Sequence, residues 1–482
     1  MINKHLIIML AMLLSLAGLS AWSITDTYFG NRFGVLDARS QAMGGTGLFD
    51  DMRTAGIIIN PANLTLMDKG AGIAGAVFVN RNEDNRAVPL YNSFDNYIDD
   101  AVYASNINMY DDYSAAAFTA LKLGKARLGV GAYYRPYLSF DGTYDEQIRN
   151  NRNTDNDSYP EMIAINRIEN TGVLNQASAV ASMGFRLGQV FDVNLGLDFG
   201  KLYGDITSSK TIRWSQWAID TVGEGVLPDS TYTEHVDLDG YRLKGGIGIR
   251  INENFGIGST YALKSTLDRK LDYSIQQEAW DGHAAMDSTA SITEDYILPT
   301  QISLGLNYQP RNMIMRTRFN LEVEWVKFSE IPEYFEIPDT LTIVQYFPYD
   351  DCYNFSAGVE HHITNRLPLR LGFRSETSYL RELERDGTIT VRKVITPTIS
   401  GGSSVFLTDN LHLDLGIGYS WREYEALDMF RDKYYDDTEY TDDDTYQLWP
   451  NQYIVLTDRG WENPDKVRES NLSLSASLSI SW

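Results

Sequence analysis

The side chains best equipped for chemistry in this sequence are charges set at every second position among apolar residues. Asp192, Asp198, Arg242, Lys244, Arg250, Glu322, Glu324, Glu360, Arg370 and Arg374 all fall on the polar side of such alternating runs. Burying them unpaired would be prohibitive. They must meet water or pair across neighbouring strands, and a structural, solvating role is expected of them rather than contact with substrate. His235 stands beside Glu234 and near Asp237, and His283 follows Asp281, each in a polar stretch expected as loop. His361 and His362 are adjacent, so on a strand they point to opposite faces and do not readily share a metal. No Gly-x-Ser-x-Gly elbow, His-Glu-x-x-His pair or Gly-x4-Gly-Lys loop occurs. No catalytic residue, cofactor or metal centre is expected; a hydrolase built on a barrel rim would need a Ser, His or Asp grouping that is not visible.

Asp428, Asp432, Asp436, Asp437, Glu439, Asp442, Asp443 and Asp444 crowd one polar stretch with Tyr434, Tyr435 and Tyr440. Carboxylate oxygens bind calcium, but the spacing lacks the Asx-Gly pattern of a dedicated loop, so a solvated acidic surface is expected. The chain carries a net charge of −24. That argues against nucleic acid, whose phosphates are bound by Lys and Arg that release counterions. Cys352 is the only cysteine, which excludes an internal disulfide and a cysteine-based zinc cluster.

These charges need elements to place them. From Leu472 to Trp482 leucine, alanine, isoleucine and tryptophan alternate strictly with serine, the period of a strand. The same alternation appears at Leu411–Arg422, Phe319–Trp325, Leu369–Arg374 and Phe191–Gly200. In a soluble sandwich the apolar face is the core; in a membrane barrel it meets lipid and the polar face lines the lumen. Length decides for the barrel, since these runs approach the roughly 9–11 residues of a membrane crossing rather than the usual 5–6. Strands are expected at 71–80, 113–123, 126–136, 176–187, 190–201, 241–251, 255–264, 300–309, 316–328, 353–363, 367–378, 397–407, 411–422 and 472–482. Short turns at Gly124-Lys125, Gly188-Gln189, Asn252-Glu253-Asn254, Pro310-Arg311-Asn312, Thr364-Asn365-Arg366 and Asp409-Asn410 alternate with long polar segments near 81–112, 137–175, 202–240, 265–299, 329–352, 379–396 and 423–471. About six turns and about seven loops both give an antiparallel, all-β barrel of roughly 14 strands with periplasmic turns. Pro136 falls near the end of the third strand, an ordinary place for proline.

Lys4 and His5, the apolar run Leu6–Leu19 and small Ser20 and Ala21 describe a secretory signal peptide over 1–21. The domain plan is therefore signal peptide 1–21, a non-alternating segment 22–70, and a barrel over 71–482. The segment reads Asp37-Ala38-Arg39-Ser40-Gln41-Ala42-Met43-Gly44-Gly45-Thr46-Gly47, an acidic link, then Asn60-Pro61-Ala62-Asn63-Leu64. Its glycines permit tight turns, and Pro61 biases Asn60 away from helix. From the residues alone it is either a periplasmic tail or a plug in the lumen.

Between Asp37 and Val79 the chain resembles the FadL-type outer-membrane transporters of long-chain fatty acids and other hydrophobic compounds. The resemblance rests on Gly44-Gly45-Thr46-Gly47, Asn60-Pro61-Ala62, Leu64 and the Gly/Ala-rich entry Gly72–Val79. It implies a 14-stranded barrel in the bacterial outer membrane whose hatch includes Gly44, Gly45, Gly47, Asn60, Pro61 and Ala62, and passive passage of hydrophobic small molecules. The same region is similar to PorV, a barrel of type IX secretion, for which secreted proteins would be the partners. The two readings differ in cargo and both stay open. Terminal Trp482 resembles the signal read by the barrel-assembly machinery. Membrane lipid is the expected surround, with lipopolysaccharide reached through bridging divalent ions. The apolar patches Trp214–Ile219 and Ile343–Phe347 are expected either to capture ligand or to pack loop against loop.

Overall fold

In hydrocarbon no water is present to satisfy backbone N–H and C=O groups, so strands can cross only if the sheet closes on itself. The computed structural model of the chain does so. It describes residues 23–482 apart from 25–28, 33–36, 92–93, 95, 150–160, 188–190, 224, 226, 228–229, 280–281, 283, 312–315, 337–342, 365–366, 384–388, 427–444, 448–454 and 458–464. The signal segment, His283 with Asp281, the acidic stretch Asp428–Asp444 and the turns at Gly188-Gln189, Asn312 and Asn365-Arg366 lie outside the described residues.

The barrel strands are β1 (Ala71–Tyr91), β2 (Tyr97–Leu123), β3 (Ala126–Ser139, resumed at Gly142–Arg149), β4 (Met162–Leu187), β5 (Phe191–Trp214), β6 (Ser230–Arg250), β7 (Phe255–Ala262, resumed at Ser265–Gln277), β8 (Met286–Leu298, resumed at Gln301–Tyr308), β9 (Thr317–Val326), β10 (Cys352–Thr364), β11 (Leu367–Leu383), β12 (Ile389–Phe406), β13 (Leu411–Ala426) and β14 (Asp465–Ser481). Each pairs antiparallel with the next, and β14 pairs with both β13 and β1, closing a 14-strand barrel. The seam is fastened at the C-terminus: the Gly70 and Ala71 amides donate to the Trp482 carbonyl at 2.8 and 3.1 Å, and the Trp482 amide donates to the Ala71 carbonyl at 3.0 Å. Ile73, Leu197, Phe199, Leu321, Leu371, Ile417, Leu478 and Trp482 project outward, while Ser473, Ser475, Ser477, Asp198, Glu322, Arg370 and Asp414 are buried inside.

The strands outrun the expected ones. β1 reaches Tyr91 instead of 80, β2 starts at Tyr97 instead of 113, and 137–175, 202–240 and 265–299, expected as loops, are largely strand. Beyond the hydrocarbon both faces of a strand meet polar surroundings, so the hydrophobic alternation fades while the backbone ladder continues. His235, expected in a loop, accordingly lies on β6 opposite Thr207 of β5. Two small hairpins, Pro332–Glu336 with Ile343–Pro348 and Thr445–Gln447 with Val455–Thr457, occupy other stretches expected as loop.

Residues 37–67 pack inside the wall. They form three short helices, α1 (Ala38–Ala42), α2 (Gly56–Ile59) and α3 (Asn63–Leu66). Asp37 caps α1 by accepting from the Ser40 amide at 3.0 Å, as an N-cap carboxylate does. Gly44 and Gly45, at φ 72 and 87, turn the chain after it. This inner segment touches the wall on all sides: Asp37 accepts from Ser477 on β14, the Gly44 amide donates to Ser400 on β12, Thr65 bonds Ser182 on β4, and Asn60 donates to the Ile247 carbonyl on β6. The wall answers with glycine. A Cβ on Gly129 would strike Leu64, on Gly196 the Pro61 backbone, on Gly246 the Asn60 side chain, on Gly258 the Leu48 backbone, on Gly358 Met43, and on Gly372 the Gly44 amide. These six glycines sit on the inward side of six different strands, where alternation alone reads merely "polar". Against them the segment is packed as closely as a protein core.

Placing a side chain at one of these contacts should unseat the segment or distort the wall, because the obstacle is backbone that cannot rotate away. Gly372→Val is expected to lower the thermal unfolding midpoint of detergent-solubilised barrel sharply, by more than the roughly 1–3 kcal/mol of ordinary overpacking. Gly75→Ala, whose Cβ would meet only the Ser114 carbonyl at 3.8 Å, should leave the midpoint unchanged in the same scan.

Candidate functional site

Four of the charges read from the sequence, Glu360, Lys244, Glu322 and Arg250, contact the inner segment, and the others bond close by. Glu360 accepts from Arg39 Nε at 2.8 Å and from Arg370 Nε at 2.7 Å, and Arg39 also reaches Asp50 at 2.7 Å. Arg370 continues to Asp414 at 2.9 Å, and Asp414 pairs with Arg53 at 3.0 Å. The result is a buried chain of alternating charge running from wall to segment and back. Lys244 contacts Asp198 at 3.2 Å and donates to the Ile58 carbonyl at 2.7 Å. Glu322 accepts the Gly47 and Leu48 amides, both at 2.8 Å. Arg250 and Arg318 hold Asp51 at 2.8 and 2.9 Å, and Arg250 also lies 3.8 Å from Asp192. Glu324 pairs with Arg32 at 2.9 Å and Arg374 with Glu376 at 2.5 Å. Arg39, Asp50, Asp51, Arg53 and Asp414 were not among the residues singled out from the sequence. Asp50-Asp51, expected as an acidic link, is instead half of this lattice; the signal was present in the arginines that flank it at 39 and 53.

Asparagine completes the seat. Asn60 donates to the Leu48 carbonyl at 2.7 Å and accepts the Ala62 amide at 3.0 Å, and its extended backbone (φ −132, ψ 117) is the one Pro61 imposes. Asn63 donates to the carbonyls of Gly47 and Gly56 at 2.9 and 3.0 Å and accepts the Asp50 amide at 3.1 Å. Both amides thus join the Gly44–Gly47 turn to the Asn-Pro-Ala turn.

Above this seat the wall is interrupted. The β2–β3 ladder runs from Leu123↔Ala126 to Ala115↔Tyr134 and stops there. β3 then shifts register against β4 between Pro136 and Leu138, and breaks at Phe140-Asp141 before resuming. Pro136, read as an ordinary strand end, therefore marks a kink within a longer strand. Leu138 and Ser139 find a different ladder partner inside the barrel, the two-residue strand Asn31–Arg32. Beyond Ala115 β2 stays laddered to β1 but has no ladder partner on its β3 side, which leaves an opening in the pairing of the wall.

Beside that kink lies an apolar pocket enclosing about 110 Å³, lined by Tyr137, Leu138, Tyr296, Leu298, Val326, Phe328 and Tyr379 among others. Phe29 lines it too, edge-on to Tyr379 at 4.9 Å, Tyr349 at 5.0 Å and Phe328 at 5.8 Å. These are the separations at which aromatic quadrupoles attract. A second cavity of about 130 Å³ shares Arg32, Gln301 and Asn354 with it and is floored by Ile58 and Ile59. Arg32, Arg135, Arg242, Lys244 and Arg374 line it against only Glu322 and Glu324. Arg135 and Arg242 lie 4.9 and 4.7 Å from the Tyr137 ring centre and donate to Gln176 and Gln301 respectively. Neither guanidinium meets a carboxylate among the described residues.

Other groupings resolve differently. The Trp214–Ile219 patch starts at the end of β5 and runs into a helix, α4 (Gln216–Val222), which packs on the strand residues Ile148, Ile163, Ala164 and Ile212, so it meets strand rather than loop. Asp205, His235 and Asp237 bring their ligand-type atoms within 4.8 Å of one another, in an exposed position. His361 and His362 diverge: His361 Nδ1 meets Thr317 at 2.9 Å, and His362 Nε2 lies 3.5 Å from Glu360.

Breaking the charge lattice should be costly. Arg39→Met leaves Asp50 without this partner and is expected to destabilise the barrel by about 3 kcal/mol or more, the usual effect of orphaning a buried charge, measured by denaturant unfolding in detergent. The periplasmic-side contact is pH-sensitive. Burial pushes the Asp51 carboxyl up, but Arg318 and Arg250 outweigh it and hold the group below its ordinary value. A depressed carboxylate contributes stability that is complete above the unfolded value near 4 and is lost as pH falls through the folded value. Thermal unfolding between pH 7 and pH 2.5 should show a loss at the acid end that Asp51→Asn diminishes.

The sequence matches the model of the family described as outer membrane protein transport protein (OMPP1/FadL/TodX) over residues 36–443. A comparison with curated proteins finds no match. Among solved structures, the chain resembles a Pseudomonas aeruginosa FadL homologue (13% identity, TM-score 0.57, covering 94% of this chain and 99% of that one). It likewise resembles the Pseudomonas putida toluene transporter TodX (14%, 0.57, 92% and 98%) and the monoaromatic hydrocarbon channel CymD (14%, 0.53, 93% and 97%). At such identity these likenesses are likenesses of fold.

Proposed function

Because the chain belongs to the outer-membrane transport family of FadL and TodX, a family of channels for hydrophobic compounds, we propose that it passes anionic amphiphiles, long-chain fatty acids foremost, inward across the outer membrane without an energy source. The observation that carries this reading is the junction of two unlike cavities. An aromatic pocket suits an apolar tail, and the adjoining pair, half-buried Arg135 and buried Arg242, supplies cations for a carboxylate, a charge-assisted contact of the stronger kind.

Phe29 acts in this reading as a resident stand-in for the tail. A ligand that displaces it pulls on Asn31–Arg32, two residues along, and so on the ladder that holds Leu138–Ser139 at the kink. The ligand then leaves sideways through the opening between β2 and β3. A straight path down the lumen would require dislodging the hatch, residues 37–67 with Asn60, Pro61 and Ala62, from its glycine seat and its charge lattice. The sideways route leaves that seat intact. Trp482 serves insertion by the barrel-assembly machinery.

TodX and CymD carry names for uncharged aromatic cargo, so the discriminating experiment compares cargoes. In proteoliposomes, Arg135→Gln with Arg242→Gln should weaken uptake of oleate at least tenfold while changing toluene uptake by less than twofold. Equal loss for both cargoes, or none for oleate, would remove the fatty-acid assignment. Phe29→Ala, by emptying the pocket, should raise the affinity for both.

A further inference from the structure

The opening beside β3 has an outer rim, and that rim is made of side chains. Past Ala115↔Tyr134, β2 and β3 share no backbone rung. Where β3 resumes, two asparagines on the inward face of β2 reach its backbone. Asn108 donates to the Thr143 carbonyl and accepts the Thr143 amide, both at 2.9 Å. Asn106 donates to the Asp145 carbonyl at 3.1 Å and accepts the Asp145 amide at 2.8 Å. Both asparagines are buried.

Each side-chain amide therefore does for one residue of β3 what a neighbouring peptide unit does in an ordinary ladder. The two-residue step from 106 to 108 matches the step from 145 to 143, as an antiparallel pair requires. The consequence is geometric. The outer part of β3 is held one side-chain length from β2, tucked toward the lumen, and cannot close up into the wall. Only an amide offers a donor and an acceptor at this reach: serine is shorter, aspartate lacks the donor, and glutamine is a methylene longer. Along β2 the opening is bounded by Asn108 at one end and Ala115 at the other, about 23 Å at the rise of a strand.

We propose that Asn106 and Asn108 are positioning residues that fix the outer rim of this opening, and with it the bulk of cargo that passes. This rests on the reading that cargo leaves through the wall, and the two are tested apart. The principal measurement is the ratio of proteoliposome uptake rates for a pyrene-labelled fatty acid and for octanoate. Asn106→Ala with Asn108→Ala frees the rim and should raise that ratio at least threefold. Asn108→Ala alone should do more than Asn106→Ala alone, because Asn108 is the rung nearest the opening, and Asn108→Gln, which keeps the amide but is a methylene longer, should give a ratio between that of Asn108→Ala and the wild type. Amide hydrogen exchange at Thr143 and Asp145 should quicken in the double variant, a check that the tethers were removed from a folded barrel. Faster exchange with an unchanged ratio overturns the proposal, and so does unchanged exchange. The exit route itself is tested by Asp112→Trp, which fills the gap from β2. Uptake that survives this change in a correctly folded barrel sinks the route. Uptake that stops, with the Asn ratio unmoved, sinks only the role of the asparagines.

Discussion

Everything in this molecule follows from the need to keep backbone hydrogen bonds paired where no water can reach. In hydrocarbon an open strand edge is too expensive to tolerate, so β14 must find β1, and the terminal Trp482 backbone is drawn into the seam with Gly70 and Ala71. Side chains then have only two destinations. Outward positions take leucine, isoleucine, valine and aromatics, and inward ones take serine, asparagine, glycine and charge. The interior could have been filled with water. Here residues 37–67 fill it, and the inward charges pair with arginines and aspartates of that segment, as at Glu360 and Arg250, or with one another, as at Asp198 and Lys244.

The same constraint explains why the interruption between β2 and β3 is so heavily supported. β3 leaves its place beside β2 after Tyr134, which frees backbone groups on both sides. Those on β3 are taken up by Asn31 and Arg32 near the kink and by Asn106 and Asn108 farther out. Asp141 accepts the Gly172 amide at 2.8 Å, and the Phe140 amide donates to the Gly172 carbonyl at 2.9 Å, bridging the break to β4. An accident of packing would not be provided with substitutes at each step, and an aromatic pocket with Arg135 and Arg242 at its edge stands directly beside it.

Legibility in the sequence tracked the solvent. Where a strand separates lipid from interior, as at Leu472–Trp482 or Leu411–Trp421, alternation is strict and the expected strands stand. Where both faces are polar, as at Met286–Leu298, the pattern vanishes and strand was taken for loop. The inner segment was visible through Gly44-Gly45-Thr46-Gly47 and Asn60-Pro61-Ala62, because turns demand particular residues. Its partners were not, since an inward glycine such as Gly372 and an inward arginine such as Arg374 look equally "polar" to a period of two. The pocket was the least readable. Phe29, Tyr137, Tyr296 and Tyr379 come from four distant stretches, and Phe29 is an aromatic in a region without periodicity.

The glycine-lined seat also dictates a sequence of events during biogenesis. With Leu48 and Pro61 pressed against bare strand backbone, the finished cylinder offers no clearance through which the amino-terminal stretch could later be threaded. The stretch runs directly into β1, so the sheet must close around it when β14 meets β1. The amino-terminal stretch is in this sense a core fitted to a cylinder whose diameter is set by its 14 strands and their stagger.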